Sequence, residues 1–199
     1  MSTESRKTAF KLALGALVVS AAALGYGVWA AVIDTVGSNR LIVPLRVERP
    51  GEAQLFYDRG AGIREEDSAR VEVLPSAELE DVAFPVPRVP LREVRFDPFI
   101  GAGRFAIGQP RLESASGRFI AKFPLAAVVP RFQIVEFIRD GKQWVGETVP
   151  GANDPQLTFG LGAPLRVGKP RVPWIEGLVT AAVAVVALRL KSRAVGTVS

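Results

Sequence analysis

Arg95 and Asp97 stand two residues apart in the stretch Leu91 to Pro98, Leu-Arg-Glu-Val-Arg-Phe-Asp-Pro. On an extended strand that spacing places a guanidinium and a carboxylate on the same face. With Tyr57 they have the parts of a sugar site. The two charged groups would hydrogen-bond hydroxyls, and the ring would lie against the apolar face of a pyranose. The competing account is structural, and the local sequence favours it: Asp97 caps the turn before Pro98, and Arg95 pairs with a neighbouring strand. Asp154, also followed by proline, has the same turn role available. Asp58, Glu65, Glu66 and Asp67 surround a glycine-rich loop and offer oxygen ligands of the kind Ca²⁺ takes. Arg59 and Arg64 lie inside that cluster, repel a cation, and point to a solvated turn with local ion pairs. Trp144 has a surface on which a ligand stacks, although a tryptophan in a sandwich is more often core. The ligand-binding candidates are therefore Tyr57, Asp58, Arg95, Asp97 and Trp144, with no catalytic residue, metal ligand or cofactor assigned.

Composition removes several chemistries. The 199 residues include no Cys and no His. A thiolate nucleophile, a disulfide framework, a histidine triad and the usual transition-metal and haem ligands are thereby excluded. A Gly-x-Ser-x-Gly elbow and a phosphate-binding Gly-Lys-Ser/Thr loop are absent too. Carboxylates are numerous enough for glycosidase chemistry, but no spacing marks a pair. The high pI invites a nucleic-acid reading, which the charge distribution opposes. Residues 35–171 carry 19 Lys/Arg against 17 Asp/Glu, without a dense basic stripe.

The elements that position these residues read as a β-domain between two apolar segments. Leu12 to Ile33 runs for 22 residues without a charge, about 33 Å of helix, enough to cross a hydrocarbon core. Tyr26 and Trp29 lie toward its far end, where aromatic rings favour the interface. Arg6, Lys7 and Lys11 precede it and orient the N-terminus to the cytoplasm. A cleaved signal peptide ending near Val28-Trp29-Ala30 is the alternative; the bulky Trp and the length of the run favour an anchor. A second apolar run, Trp174 to Leu188, covers about 23 Å and is followed by Arg189, Lys191 and Arg193. Its alternative is a buried or interfacial helix.

The expected organisation is a cytoplasmic N-terminus at 1–11, a transmembrane helix at 12–34, an extracytoplasmic domain at 35–171, a second transmembrane helix at 172–190 and a cytoplasmic tail at 191–199. Within the domain, alternating apolar residues predict strands over 41–47, 53–58, 69–74, 82–86, 91–98, 105–112 and 156–161, with Trp144 in another. Pro44 suggests an edge or a bulge in the first, and Gly108 and Pro110 a bend in the sixth. Residues 132–138 fit strand or helix, and 125–129 are left open. Turns every 8 to 15 residues are the pattern of a β-sandwich or jelly roll.

Three pieces carry a resemblance. They are Ala53-Gln54-Leu55-Phe56-Tyr57-Asp58-Arg59-Gly60 with Glu65-Glu66-Asp67-Ser68, then Val94-Arg95-Phe96-Asp97-Pro98-Phe99 with Ile107 and Leu112, and Asn153-Asp154-Pro155-Gln156-Leu157. Residues 41–162 resemble the extracytoplasmic galactose-binding-like, jelly-roll module of bacterial membrane glycosyltransferases and other envelope polysaccharide proteins. The resemblance implies a mainly β, jelly-roll-like sandwich in the periplasm, anchored in the inner membrane with both termini cytoplasmic. It implies a non-catalytic module that contacts a glycan or a partner membrane enzyme. The chain lacks the many transmembrane helices of the large enzymes, so the module is implied and not the transferase activity. Two other functions compete with it: a structural accessory subunit of a larger membrane complex, and a carboxylate-dependent glycan-modifying enzyme. The expected partners are the lipid bilayer, a membrane glycosyltransferase or other complex subunits, and a glycan, with no nucleic acid.

Overall fold

The computed structural model describes residues 3–161. The expected linker, second membrane helix and C-terminal tail lie outside the described residues. A helix, α1 (Thr3–Val36), and a β-domain that begins at Gly37 are separate compact units. Among the described residues α1 contains the single segment long and apolar enough to cross a membrane, Leu14–Val36, with a mean hydropathy of 2.0. Leu14, Leu17, Val18, Val19, Val28, Trp29 and Val32 are all exposed and fall on every side of the helix. A helix apolar all round needs an apolar medium. That surface suits a membrane anchor, and a signal sequence has the same composition.

Among the described residues the β-domain has twelve strands. In order they are β1 (Asn39–Val47), β2 (Gly51–Tyr57), β3 (Ser68–Val73), β4 (Glu80–Val86), β5 (Val94–Asp97), β6 (Arg104–Ile107), β7 (Arg111–Glu113), β8 (Phe119–Lys122), β9 (Val128–Phe132), β10 (Ile134–Asp140), β11 (Gln143–Thr148) and β12 (Gln156–Phe159). They form two antiparallel sheets, one of seven strands and one of five. Both sheets contribute to one core that includes Leu41, Val43, Leu55, Phe84, Val94, Phe96, Phe105, Ile107, Leu157 and Phe159. Phe96 of the five-stranded sheet meets Phe84 of the seven-stranded one edge-on, with ring centroids 5.7 Å apart. Edge-to-face geometry of this kind adds to the burial that drives the two sheets together.

The first strand is the spine of the larger sheet. Along one side β1 pairs with β4 from Asn39 to Leu45. Along the other it pairs with β7 through residues 40–42 and with β6 through residues 45–47. Pro44 therefore sits in a central strand, where an edge or a bulge was expected. The reason is local. Its missing N–H faces the break between β6 and β7, and its carbonyl accepts the amide of Gly108 at 2.8 Å. A Cβ on Gly108 would lie 2.9 Å from the Pro44 ring, so the glycine makes room for the proline. The same break divides the stretch 105–112 into two strands.

The smaller sheet has the order β3-β2-β5-β12-β9. Its central register aligns Leu55, Phe96 and Leu157 across three strands, all fully buried. The pleat then sends their neighbours to the opposite face. Proline stands in two strands that lie at sheet margins, Pro85 in β4 and Pro130 in β9, where the lost donor is cheapest.

In the larger sheet Gly146 of β11 lies between Phe105 and Phe137 on the adjoining strands. Those rings close over it, with centroids 6.4 Å apart, and a Cβ there would fall 2.2 Å from the Phe105 ring. Gly146→Ala is expected to destabilise the domain by about 1–3 kcal/mol through overpacking, read as a fall in the chemical-denaturation midpoint.

Candidate functional site

The outer face of the smaller sheet carries an unusual density of polar groups because the register puts them there. Phe56, Arg95 and Thr158 are opposed across β2, β5 and β12, and Gln54 faces Asp97 one step along. Arg95 and Asp97 share that face because Val94 and Phe96 are sealed into the core on the other. Arg95 donates from Nε to Asp97 Oδ1 at 2.9 Å and from Nη2 to Asp97 Oδ2 at 2.7 Å. The same Nη2 donates to Asp154 Oδ1, which closes the 151–155 loop onto the sheet. The guanidinium also lies over the Phe56 ring, 4.5 Å from its centroid, a cation–π contact.

Neighbouring side chains complete the arrangement. Gln54 donates to Glu65 Oε1 at 2.8 Å and to Ser68 Oγ at 3.0 Å. Gln156 donates to Asp154 Oδ2 at 2.6 Å. Together they border a cleft of about 330 Å³ lined by Gln54, Phe56, Ile63, Arg64, Glu65, Arg95, Asp97, Phe99, Ile100, Asn153, Asp154 and Pro155. The loop that carries Asp154 is held from the far side by Gln133, between β9 and β10. Gln133 Oε1 accepts the amides of Asn153 and Asp154, both at 2.8 Å, and its Nε2 donates to Asn153 Oδ1 at 2.9 Å. Gln133 adopts φ 51, the left-handed region, a conformation that costs free energy and persists where surrounding contacts impose it.

The electrostatics of the clasp are asymmetric. Burial pushes the Asp97 carboxyl up to about 6; Arg95 pulls it down, and Asp154 pushes it further up. Burial works against the Arg95 charge as well, but its carboxylate partners outweigh that effect and its pKa rises. Both values rise, and the rise disfavours the charged form of Asp97 while it favours that of Arg95, because Asp97 is the deeper partner, with 6% of its side chain exposed against 21% for Arg95. Desolvation is the larger penalty for the group farther from water. Chemically, the site presents two carboxylates bridged by a guanidinium, with amides and an aromatic wall around them. The cation occupies the space between the carboxylates, where a glycosidase needs a glycosidic bond or a water. The arrangement is built to hydrogen-bond.

No family model, curated protein or solved structure matches this chain.

Of the five residues singled out by sequence, the structure brings Arg95 and Asp97 together and places the other three elsewhere. Tyr57 is one step along β2 from Phe56, so the pleat turns it to the opposite face, where it packs against the core. Phe56 is the aromatic beside Arg95. Asp58 accepts the amides of Gly60 at 2.6 Å and Gly62 at 2.8 Å. These backbone donors, that of Gly60 foremost, hold its carboxyl below the usual range, and the residue shapes the loop. Trp144 belongs to the larger sheet. It stacks on Phe137 with centroids 4.7 Å apart and donates from Nε1 to Leu125 O at 2.8 Å. The remaining acidic residues of the loop are ion-paired: Asp67 with Arg59, Glu66 with Arg64, and Glu65 with Arg70.

Gln54, Gln133 and Gln156 are not among the residues the sequence singles out, and Glu65 enters there only as an oxygen ligand of the acidic loop. Only the alternation in β2 carried a signal for one of them, since it puts Gln54 on the polar face. Gln133 had none, because its role depends on a loop twenty residues away.

The raised Asp97 pKa has a signed consequence for stability. A carboxyl with a folded pKa above its unfolded value near 3.8 favours the folded state in its protonated form. That contribution is fully present below 3.8 and is lost as pH rises through about 6. Asp58, Glu65 and Asp81 have lowered values and act oppositely, their stabilisation fading only as pH falls below the ordinary carboxylate range. Thermal midpoints are therefore expected to rise on acidification from about pH 6 to about pH 4, and then to fall. Asp97→Asn is expected to remove the rise and leave the fall, as monitored by circular dichroism.

Proposed function

We propose that this protein is a membrane-anchored β-module, jelly-roll-like in the manner of galactose-binding domains, that binds glycan without catalysing a reaction on it. In this reading α1 is retained as an anchor in a bacterial inner membrane. The β-domain stands outside the cytoplasm and serves envelope polysaccharide assembly, presenting sugar to a partner membrane enzyme. The observation that carries the reading is the cleft on the outer face of the smaller sheet. Arg95, Asp97, Asp154 and Gln54 line it with hydrogen-bonding groups held rigid by one another, and Phe56, Phe99 and Ile100 give it apolar walls. Sugar recognition has the same two requirements, polar groups for hydroxyls and apolar surface for the C–H face of the ring. Preorganised groups lower the ordering cost of binding. The apolar surface of α1 supports the membrane part.

A second reading, a structural subunit of a larger complex, draws on a different surface. Phe132, Val135 and Ile138 are more than half exposed along β9 and β10, and exposed apolar residues grouped in this way often mark contacts with other proteins.

The test is calorimetric titration of the full-length protein in lipid nanodiscs with oligosaccharides released from envelope polysaccharide. Arg95→Ala is expected to weaken binding by at least about tenfold, the scale of a lost charge-assisted hydrogen-bond network. Trp144→Phe, in the other sheet, is expected to leave it unchanged. Absence of binding up to about 1 mM, the weak end of specific affinity, sinks the glycan reading and leaves the subunit reading, which stoichiometric cross-linking to a second membrane protein then tests.

A further inference from the structure

Among the described residues each guanidinium group at the cleft stands beside a carboxylate of the protein, and that restricts what the cleft accepts. Arg64 pairs with Glu66 at 3.6 Å. Arg70, on the neighbouring strand, reaches Glu52 at 3.0 Å and Glu65. Arg95 spends Nε and Nη2 on Asp97 and shares Nη2 with Asp154. A guanidinium has five donors, and its fork-shaped edge is what recognises a planar anion. On Arg95 the Nε–Nη2 edge is taken by a carboxylate of the protein itself.

The acceptors are in the opposite state. The cleft is lined by Glu65, Asp97 and Asp154 against Arg64 and Arg95, so carboxylates outnumber guanidinium groups three to two. Ionised carboxylates accept up to four hydrogen bonds each. Asp154 receives one from Arg95 and one from Gln156, and 43% of its side chain is open to solvent. Glu65 is 64% open. The free capacity of the cleft is therefore acceptor capacity with a negative bias.

Resting on the glycan reading, we infer that the cleft selects glycans that donate hydrogen bonds, neutral sugars and amino sugars, and rejects those bearing carboxylate or phosphate. Hydroxyl groups satisfy Asp154 and Glu65 without disturbing the clasp. An ammonium does the same with added charge attraction. A uronate or a sugar phosphate faces a cleft whose carboxylates outnumber its guanidinium groups and must displace Asp97 to reach the Nε–Nη2 fork of Arg95, and like-charge juxtaposition disfavours it.

The experiment is an array of neutral, amino, uronic and phosphorylated oligosaccharides probed with the full-length protein in nanodiscs of uncharged lipid, followed by titration of the hits. Acidic glycans are expected to bind at least about tenfold more weakly than their neutral counterparts, a conservative floor for the cost of like-charge contact. Asp154→Asn removes one acidic competitor and adds an amide donor. It is expected to narrow that preference while the thermal midpoint is held; Glu65→Gln, on an exposed side chain, repeats the test independently of the loop. Acidic glycans that bind as well as neutral ones overturn the inference and leave the glycan reading standing. So does an unchanged preference in both variants. An array with no hit of any class removes the glycan reading, and the inference falls with it.

Discussion

Everything in the smaller sheet follows from the pleat of a four-residue strand. Val94 and Phe96 are fully buried, so Arg95 and Asp97 have one face left to occupy. The core thus dictates the position of the charged pair. A slip of one residue in β5 would bury both charges and expose Phe96, and the cost of an unsolvated guanidinium forbids it. The row Leu55, Phe96, Leu157 on one side and the row Phe56, Arg95, Thr158 on the other are two consequences of one register.

The clasp itself illustrates why a buried ion pair is poor evidence of stabilisation. Asp97 has its guanidinium partner at 2.7 Å, yet burial pushes its carboxyl up to about 6. The attraction does not fully repay desolvation of the carboxylate. Evolution of stability alone would favour an apolar residue there. What the polar group supplies is specificity of arrangement, since Asp97 holds Arg95 by two hydrogen bonds and Arg95 holds the loop through Asp154. Gln133 works on the same loop from behind.

Much of the fold was legible because half-buried strands write a period of two into the sequence. The strands at 39–47, 51–57, 68–73, 80–86, 94–97 and 156–159 all lie where alternation predicted them. Residues 118–140 were illegible for a physical reason. In β8 no residue is fully buried, β9 buries only Val128, and β10 carries an irregularity between Ile134 and Glu136 that shifts its phase. These three strands bury too little of either face to write a wet and a dry side into the sequence. The candidate site divides in the same way. Spacing along one strand revealed Arg95 and Asp97. Tyr57 lies one step of the pleat away from the face of Arg95, where Phe56 stands instead, and Trp144 belongs to the other sheet. Gln54, Glu65 and Asp154 join the pair through contacts 11 to 59 residues apart, which no local pattern encodes.

The spine of the larger sheet also sets a timetable. β1 precedes all of its partners, which lie at 80–86, 104–107 and 111–113. Until those arrive, Leu41, Val43, Leu45 and Val47 have nothing to cover them. At a synthesis rate of roughly 5–20 residues per second the wait is several seconds. Closing such distant contacts is slow even in a finished chain. During that interval Pro44 interrupts the donors of an apolar strand still without its partners, so a stranger's strand finds an incomplete ladder to copy. The residue that lets the mature sheet divide therefore also guards the nascent chain against wrong pairing.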